Sequence, residues 1–151
     1  MIEKVAGVLR RHHAVYGNAI DMIFSSDILR TKQTAEIVSK TLKLEVNFDT
    51  RLREVDFGKA NGSPAGKFYA DLKDKQNKKV GRESYGSVAK RVYEFLRDVD
   101  KKYHGKNILI VSHQCPLWAL ENKVKRISLN QAIKNAEKRR RIGRGEIRDL
   151  T

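Results

Sequence analysis

The sequence predicts an α/β fold built around a mostly parallel sheet. Two apolar stretches with strand-like composition, residues 19–24 and 108–111, are each followed closely by a helical pattern of apolar residues. Between them, residues 84–103 carry a helical stripe formed by Val88, Val92, Phe95 and Val99. Strands that alternate with helices in this way are typical of a parallel sheet covered by helices.

The first half of the chain predicts two strand-and-helix units and a loop. Residues 2–11 have the spacing of an amphipathic helix, residues 12–18 resemble a loop, and residues 19–24 a buried strand. Ser25 or Ser26 suits the N-cap of a helix over residues 27–42. Residues 44–48 alternate weakly and predict a short strand, and Gly58 and Gly62 indicate a structured loop over residues 51–62.

The second half begins with a polar, lysine-rich excursion over residues 63–83. Ser84 is the expected N-cap of the striped helix, which ends near Tyr103. After the strand at residues 108–111, a helix is expected from the apolar run that begins at Pro116. Ser128 and Gln131 have the spacing of a capping box, which predicts a last helix to about residue 142.

Composition favours one cytoplasmic domain. A chain of 151 residues can bury one substantial core, so residues 1–142 form the expected domain and residues 143–151 an edge strand or linker. No apolar run approaches the length of a membrane span. The lone Cys115 excludes an internal disulfide, and the histidines at 12, 13, 104 and 113 have no metal-ligand spacing, so we expect neither a metal nor a cofactor.

The net charge of +14, with a pI near 10.0, favours anionic partners. Residues 121–151 contain ten Lys and Arg against four Asp and Glu, which gives +6, with a dense cluster at residues 138–141. Phosphorylated metabolites and nucleic acid both fit this charge. A solvated charged face explains the cluster equally well.

Three side chains are candidates for phosphate chemistry. His113 lies where the strand at residues 108–111 passes into a helix, and ligands of open α/β sheets bind at that edge. Arg30 lies about one turn into the helix after the first strand, where its planar donors suit phosphate. Glu54 is a loop carboxyl that could protonate a departing oxygen, a role for which its pKa would have to be raised, and Asp56 fits by spacing alone.

Each candidate also has a purely structural interpretation. His113 could cap the helix, Arg30 could be a surface arginine, and the two carboxyl groups could be ordinary loop acids. We interpret Arg51, Arg53 and Lys32 as surface charges. A cysteine phosphatase loop is excluded, because position 121, six residues after Cys115, is a glutamate and not the arginine that such a loop needs.

Four segments in order resemble the histidine phosphatase superfamily, the phosphoglycerate mutase-like proteins. They are FSSDILRTKQTAEIV, RLREVDFGKANG, GRESYGSVAKRVYEFL and ILIVSHQCPLWAL, and the resemblance covers roughly residues 21–120. It implies a three-layer α/β/α fold and phosphohistidine chemistry on a phosphate monoester. It also implies that Arg30 and His113 hold phosphate and that Glu54 is the proton donor.

The chain departs from the family pattern in two places. The Arg-His-Gly motif that carries the attacking histidine is not found, and the residues RRHH at 10–13 lack both its strand and its glycine. Gln114 replaces the usual glycine after His113, which predicts a narrower pocket or an altered turn. We therefore expect an N-terminally truncated domain that is incomplete or inactive as given.

Three functions remain open at this point. The chain could be part of a phosphatase or phosphomutase whose nucleophile comes from an upstream segment, or a non-catalytic phosphate-binding domain. It could also be an RNA-associated domain of a larger enzyme such as an aminoacyl-tRNA synthetase, as the basic C-terminal segment suggests. Residues 59–83 would select the substrate, and their chemistry indicates only a preference for anions.

Overall fold

A computed structural model of the chain describes residues 20–58, 61, 83–135, 143 and 145–150. The predicted helix at residues 2–11, the loop with His12 and His13, the lysine-rich excursion and the basic cluster at residues 138–141 lie outside these ranges. The described residues contain the sheet, the helices around it and all three candidate side chains.

The described sheet has three parallel strands in the order β2-β1-β3. They are β1 (Met22–Ser25), β2 (Val46–Phe48) and β3 (Ile108–Val111). Ile23 of β1 lies opposite Val46 on one side and Leu109 on the other. All three strands therefore end at the same edge of the sheet, and the loops that follow them meet there.

The described residues contain four helices, which are α1 (Leu29–Leu42), α2 (Tyr85–Lys102), α3 (Gln114–Val124) and α4 (Leu129–Asn135). A short 3-10 turn, Thr50–Leu52, follows β2. Two predicted caps are confirmed. The Ser84 hydroxyl accepts the N–H of Ser87 at 3.1 Å, and the Ser128 hydroxyl accepts that of Gln131 at 3.2 Å.

The predicted serine cap of α1 is wrong. The helix begins at Leu29, its N-cap is Ile28, and no side chain caps it. The Ser26 hydroxyl instead accepts the N–H of Ile28 at 3.3 Å and lies against His113. The helix therefore starts two residues later than expected, and the Ser26 hydroxyl contacts a residue that is distant in sequence.

Alternating residues of β1 divide the core into two faces. Ile23 packs with Val38 of α1 on one face, and Phe24 packs with Phe95 of α2 on the other. The rings of Phe24 and Phe95 meet edge to face with centroids 5.4 Å apart. A further cluster joins α2 to α3 through Val88, Val92 and Ala119. Helices thus cover both faces of the sheet, which confirms the expected three-layer α/β/α fold.

Candidate active site

His113 lies at the carboxyl end of β3 and is the N-cap of α3. Only 6% of the residue is exposed, and its Nε2 atom lies 3.0 Å from the hydroxyl oxygen of Ser26, which is fully buried. Burial lowers the pKa of His113 to about 4, and the positive charges of Arg30 and Arg91 add to this effect. The imidazole is therefore neutral near pH 7.

Arg30 is the second residue of α1, on the turn that follows β1. Its side chain is exposed and, among the described residues, has no ion pair or hydrogen bond. Its charge nevertheless reaches the imidazole of His113, as the lowered pKa shows. The structure thus brings together the two residues that the sequence analysis assigned to phosphate binding.

The helices that begin beside these residues add to the positive potential. Neither α1 nor α3 has an acidic residue in its first turn, and neither N-cap side chain bonds to the helix. The first backbone N–H groups of a helix carry partial positive charge, equivalent to about half an elementary charge at its N-terminus. Arg30 and both helix ends therefore favour an anion at this edge of the sheet.

Glu54 follows the 3-10 turn and is half-buried. Its carboxylate accepts the N–H of Val55 at 3.0 Å, and its charge contributes, after burial, to the raised pKa of Tyr85. The Tyr85 hydroxyl donates to the carbonyl of Cys115 in the first turn of α3 at 3.4 Å. The loop that carries Glu54 contacts the turn before His113 directly, because the Ser112 hydroxyl donates to the carbonyl of Leu52 at 2.6 Å.

Asp56, the alternative acid, has a structural role in this loop. Its carboxylate accepts the N–H of Gly58 and the side-chain amide of Asn61, both at 2.8 Å. These bonds, the one from Gly58 first, lower the pKa of Asp56. A carboxyl that holds its own turn and is readily ionised is poorly suited to donate a proton.

Arg91 of α2 is a residue that the sequence analysis missed. It forms a two-pronged ion pair with Glu83, with distances of 2.7 and 2.9 Å. It also donates to the carbonyls of Arg51 and Glu54, and so holds the loop that carries the candidate acid. The sequence contains one indication of its importance. Arg91 lies among Val88, Val92 and Phe95, where an arginine interrupts an apolar stripe.

The remaining loop arginines form ion pairs on the surface. Arg51 contacts Asp49 at 2.8 Å and Asp98 at 2.6 Å, and Arg53 pairs with Asp27. Gln114 is the first residue of α3 and does not have a positive φ, so its side chain imposes no backbone strain on the turn. The turn therefore does not depend on the glycine that the family usually has there.

The described residues contain neither a metal-binding group nor a membrane-spanning helix. Within them, no three His, Cys, Asp or Glu side chains are grouped so that they could hold a metal ion. None of the described helices is both long and apolar enough to cross a membrane.

The parallel sheet and the helices on both of its faces define a three-layer α/β protein with a basic edge. Residues 6–138 match the histidine phosphatase superfamily (branch 1). The chain belongs to this superfamily, which confirms the resemblance seen in the four sequence segments.

Two curated relatives illustrate this membership. Phosphoserine phosphatase 1 of Hydrogenobacter thermophilus is 33% identical over 110 residues, which cover 67% of this chain and 52% of the relative. The probable phosphoglycerate mutase GpmB of Salmonella choleraesuis is 30% identical over 115 residues, 70% of this chain and 54% of the relative. The chain therefore spans about half the length of the curated relatives it matches.

A solved structure supports the fold. The mycobacterial glucosyl-3-phosphoglycerate phosphatase in complex with inorganic phosphate matches with a TM-score of 0.68 and 21% identity. The match covers 86% of this chain and 68% of that protein. At this identity the likeness establishes the shared fold.

Proposed function

We propose that this chain is a histidine phosphatase domain whose described residues form the phosphate-holding and proton-donating part of a site for phosphate monoesters. One observation carries the proposal: Arg30 is exposed, has no ion pair among the described residues, and contributes its charge to the lowered pKa of the buried His113, while neither α1 nor α3 has a side-chain cap. An arginine in such a field is suited to a phosphate group, because its planar donors match two phosphate oxygens.

Each residue has a distinct proposed role. Arg30 and the N–H groups of α1 and α3 bind the phosphate oxygens, and His113 adds a neutral hydrogen-bond donor. If a nucleophile from outside the described residues forms a bond to phosphorus as the bond to the ester oxygen breaks, Glu54 gives its proton to that oxygen, so the alcohol leaves uncharged. Asp56 is less suitable, because Gly58 and Asn61 already occupy its carboxylate.

In this proposal the described residues bind the phosphate group, but none of them supplies an imidazole that attacks phosphorus. The histidines among them are His113, which belongs to the binding pocket, and His104, which is exposed just after the C-terminal end of α2. His12 and His13 lie outside the described residues, and the sequence RRHH at 10–13 lacks the glycine of the Arg-His-Gly motif. On that sequence ground we propose that the chain as given binds phosphate and phosphate monoesters without efficient turnover.

Calorimetric titration of the full chain with inorganic phosphate tests this function. Arg30→Ala should weaken binding by about tenfold or more, because it removes the charged donors of the pocket. Lys32→Ala is the matched control, since Lys32 is an exposed base of the same helix whose ammonium lies over the ring of Phe48. A wild-type protein that shows no phosphate-dependent heat, or equal losses in the two variants, would contradict the proposal.

The other expectations remain predictions. The contacts of the described residues test none of three expectations. These are the domain boundary at residue 142, the cytoplasmic location and nucleic-acid binding through the basic C-terminal segment with its cluster at residues 138–141. RNA affinity that falls steeply between low and physiological salt would support the nucleic-acid interpretation.

A further inference from the structure

We propose that Ser26 is a positioning residue that fixes the tautomer and the orientation of His113. The two residues are 87 positions apart in sequence, yet the Ser26 hydroxyl oxygen lies 3.0 Å from Nε2 of the imidazole. Ser26 is fully buried and His113 nearly so. The contact joins the turn after β1 to the turn after β3, and water cannot readily replace either partner.

The hydrogen bonds of Ser26 decide which atom is the donor. Its hydroxyl oxygen accepts the N–H of Ile28 at 3.3 Å, which leaves the hydroxyl hydrogen to be placed. Among the described residues, Nε2 of His113 is the acceptor within reach of that hydrogen. If Nε2 carried a proton, two hydrogens would face each other or the hydroxyl hydrogen would be buried without a partner, at a cost of about 1–3 kcal/mol.

Ser26 therefore donates to Nε2, and the proton of the neutral ring lies on Nδ1. The neutral form follows from the low pKa of His113. Nδ1 is then the ring atom that can donate a hydrogen bond to a ligand. Ser26 acts through His113, because its complete burial keeps it from touching a substrate itself.

The backbone around Ser26 holds the hydroxyl in place. Its N–H donates to the carbonyl of Val111 at 3.0 Å, which continues the pairing of β1 with β3. Its carbonyl accepts the hydroxyls of Ser25 at 2.8 Å and Thr31 at 3.1 Å. With both backbone groups engaged, the side chain is presented to the imidazole from a fixed point.

Nitrogen-15 NMR of the labelled full chain at pH 7 tests the tautomer directly. Two-bond correlations from the ring protons distinguish protonated Nδ1 from protonated Nε2. Wild-type protein should show His113 with the proton on Nδ1, and a spectrum with the proton on Nε2 would overturn the proposal without any variant. Ser26→Ala should populate the second tautomer and raise the pKa of His113, because a hydrogen bond to the neutral form is lost.

Two further variants separate positioning from a structural effect. Ser25→Ala removes the neighbouring hydroxyl, which is equally buried but bonds to the carbonyls of Ser26 and Thr31 and not to the ring. It should leave the His113 tautomer unchanged, because the bonds of Ser26 to Thr31 and Val111 still hold its backbone. Ser26→Thr, which keeps the hydroxyl, should show the wild-type tautomer. Equal changes in Ser25→Ala and Ser26→Ala would show that any loss of packing moves the ring, and would overturn the proposal.

The effect on ligand binding rests on the proposed phosphate site, whereas the tautomer does not. Titration with inorganic phosphate should show weaker binding in Ser26→Ala than in Ser25→Ala. A wild-type protein that has the Nδ1 proton but binds no phosphate contradicts the proposed function and leaves the role of Ser26 standing. A wild-type protein that binds phosphate with the proton on Nε2 contradicts only the role of Ser26.

Discussion

The turn after β1 and the turn after β3 lie side by side but are held in different ways. Each contains a serine close to the carboxyl end of its strand. Ser112 donates to the carbonyl of Leu52 at 2.6 Å and so fastens its own turn to the loop after β2. Ser26, in contrast, bonds across to the imidazole of His113.

The loop over residues 51–54 is attached unequally to these two turns. Ser112 and Arg91 hold its backbone carbonyls on the side of His113. Its connection to the first turn is the ion pair between Arg53 and Asp27, in which the arginine side chain is 52% exposed. The described contacts thus hold the imidazole side of the site in place, whereas the guanidinium of Arg30 is exposed and has no ion pair among the described residues.

The largest effect on stability is expected from Arg91→Ala. The change leaves Glu83 without its partner and removes the donors to the carbonyls of Arg51 and Glu54. Because both charged side chains of the pair are less than 20% exposed, the free energy of unfolding should fall by about 2–3 kcal/mol. Urea denaturation measures this loss.

Arg53→Ala is the matched control from the same loop. Its ion pair with Asp27 is largely solvated, so the expected loss is about 0.5 kcal/mol or less. Similar losses in the two variants would show that the loop is attached equally to both turns, contrary to the comparison.

A smaller effect is expected from pH. Folding lowers the pKa of His113 from 6.5 to about 4, so below pH 6.5 the unfolded chain binds a proton that the folded chain does not. The contribution of the neutral ring to the free energy of unfolding is fully present above pH 6.5. It is lost as the pH falls towards 4. Between pH 7 and pH 5 the loss should be about 2 kcal/mol.

Denaturation at these two pH values, with His113→Gln for comparison, measures that contribution. The variant should lose clearly less stability over the interval, whereas His104→Gln, a change at an exposed histidine, should behave like the wild type. The carboxyl groups with lowered pKa, such as Asp27 and Asp98, lose their contribution only at lower pH. An equal pH dependence in wild type and His113→Gln would contradict the assignment of the buried neutral ring.

The smallest of these effects is expected from Ser112→Ala. Loss of the hydrogen bond to Leu52 should cost about 1 kcal/mol in unfolding free energy, while the tautomer of His113 stays unchanged. Ser87→Ala, at an exposed serine bonded to the Ser84 hydroxyl, should cost less. If Ser112→Ala changed the tautomer of His113, the distinction between Ser112, which holds a turn, and Ser26, which positions the imidazole, would be wrong.

Local signals in the sequence predicted much of the fold. The caps at Ser84 and Ser128, the strand at residues 108–111 and the position of His113 depend on neighbours within a few residues, so their patterns can be read directly. The superfamily followed from four ordered segments and is confirmed.

The rest depended on partners that are distant in sequence. The start of α1 was misplaced because Ser26 bonds to His113 and not to the helix as its cap. Arg91 was missed because its loop partners, Arg51 and Glu54, are 40 and 37 residues away. The sequence analysis preferred Glu54 but left Asp56 possible by spacing, and the bonds from Gly58 and Asn61 to Asp56 could not be read from the sequence.

The site combines the neutral imidazole of His113 with the charged guanidinium of Arg30. This combination determines how an anion approaches the site. Arg30 and the helix dipoles keep their charge between pH 5 and pH 9, and His113 is uncharged over most of that interval. The contribution of His113 to the encounter rate should therefore not change over most of this interval, whereas the ligand's own second ionisation, near pH 6 for a phosphate ester, should change the rate. Added salt should slow the encounter, because the exposed Arg30 is readily screened by counterions.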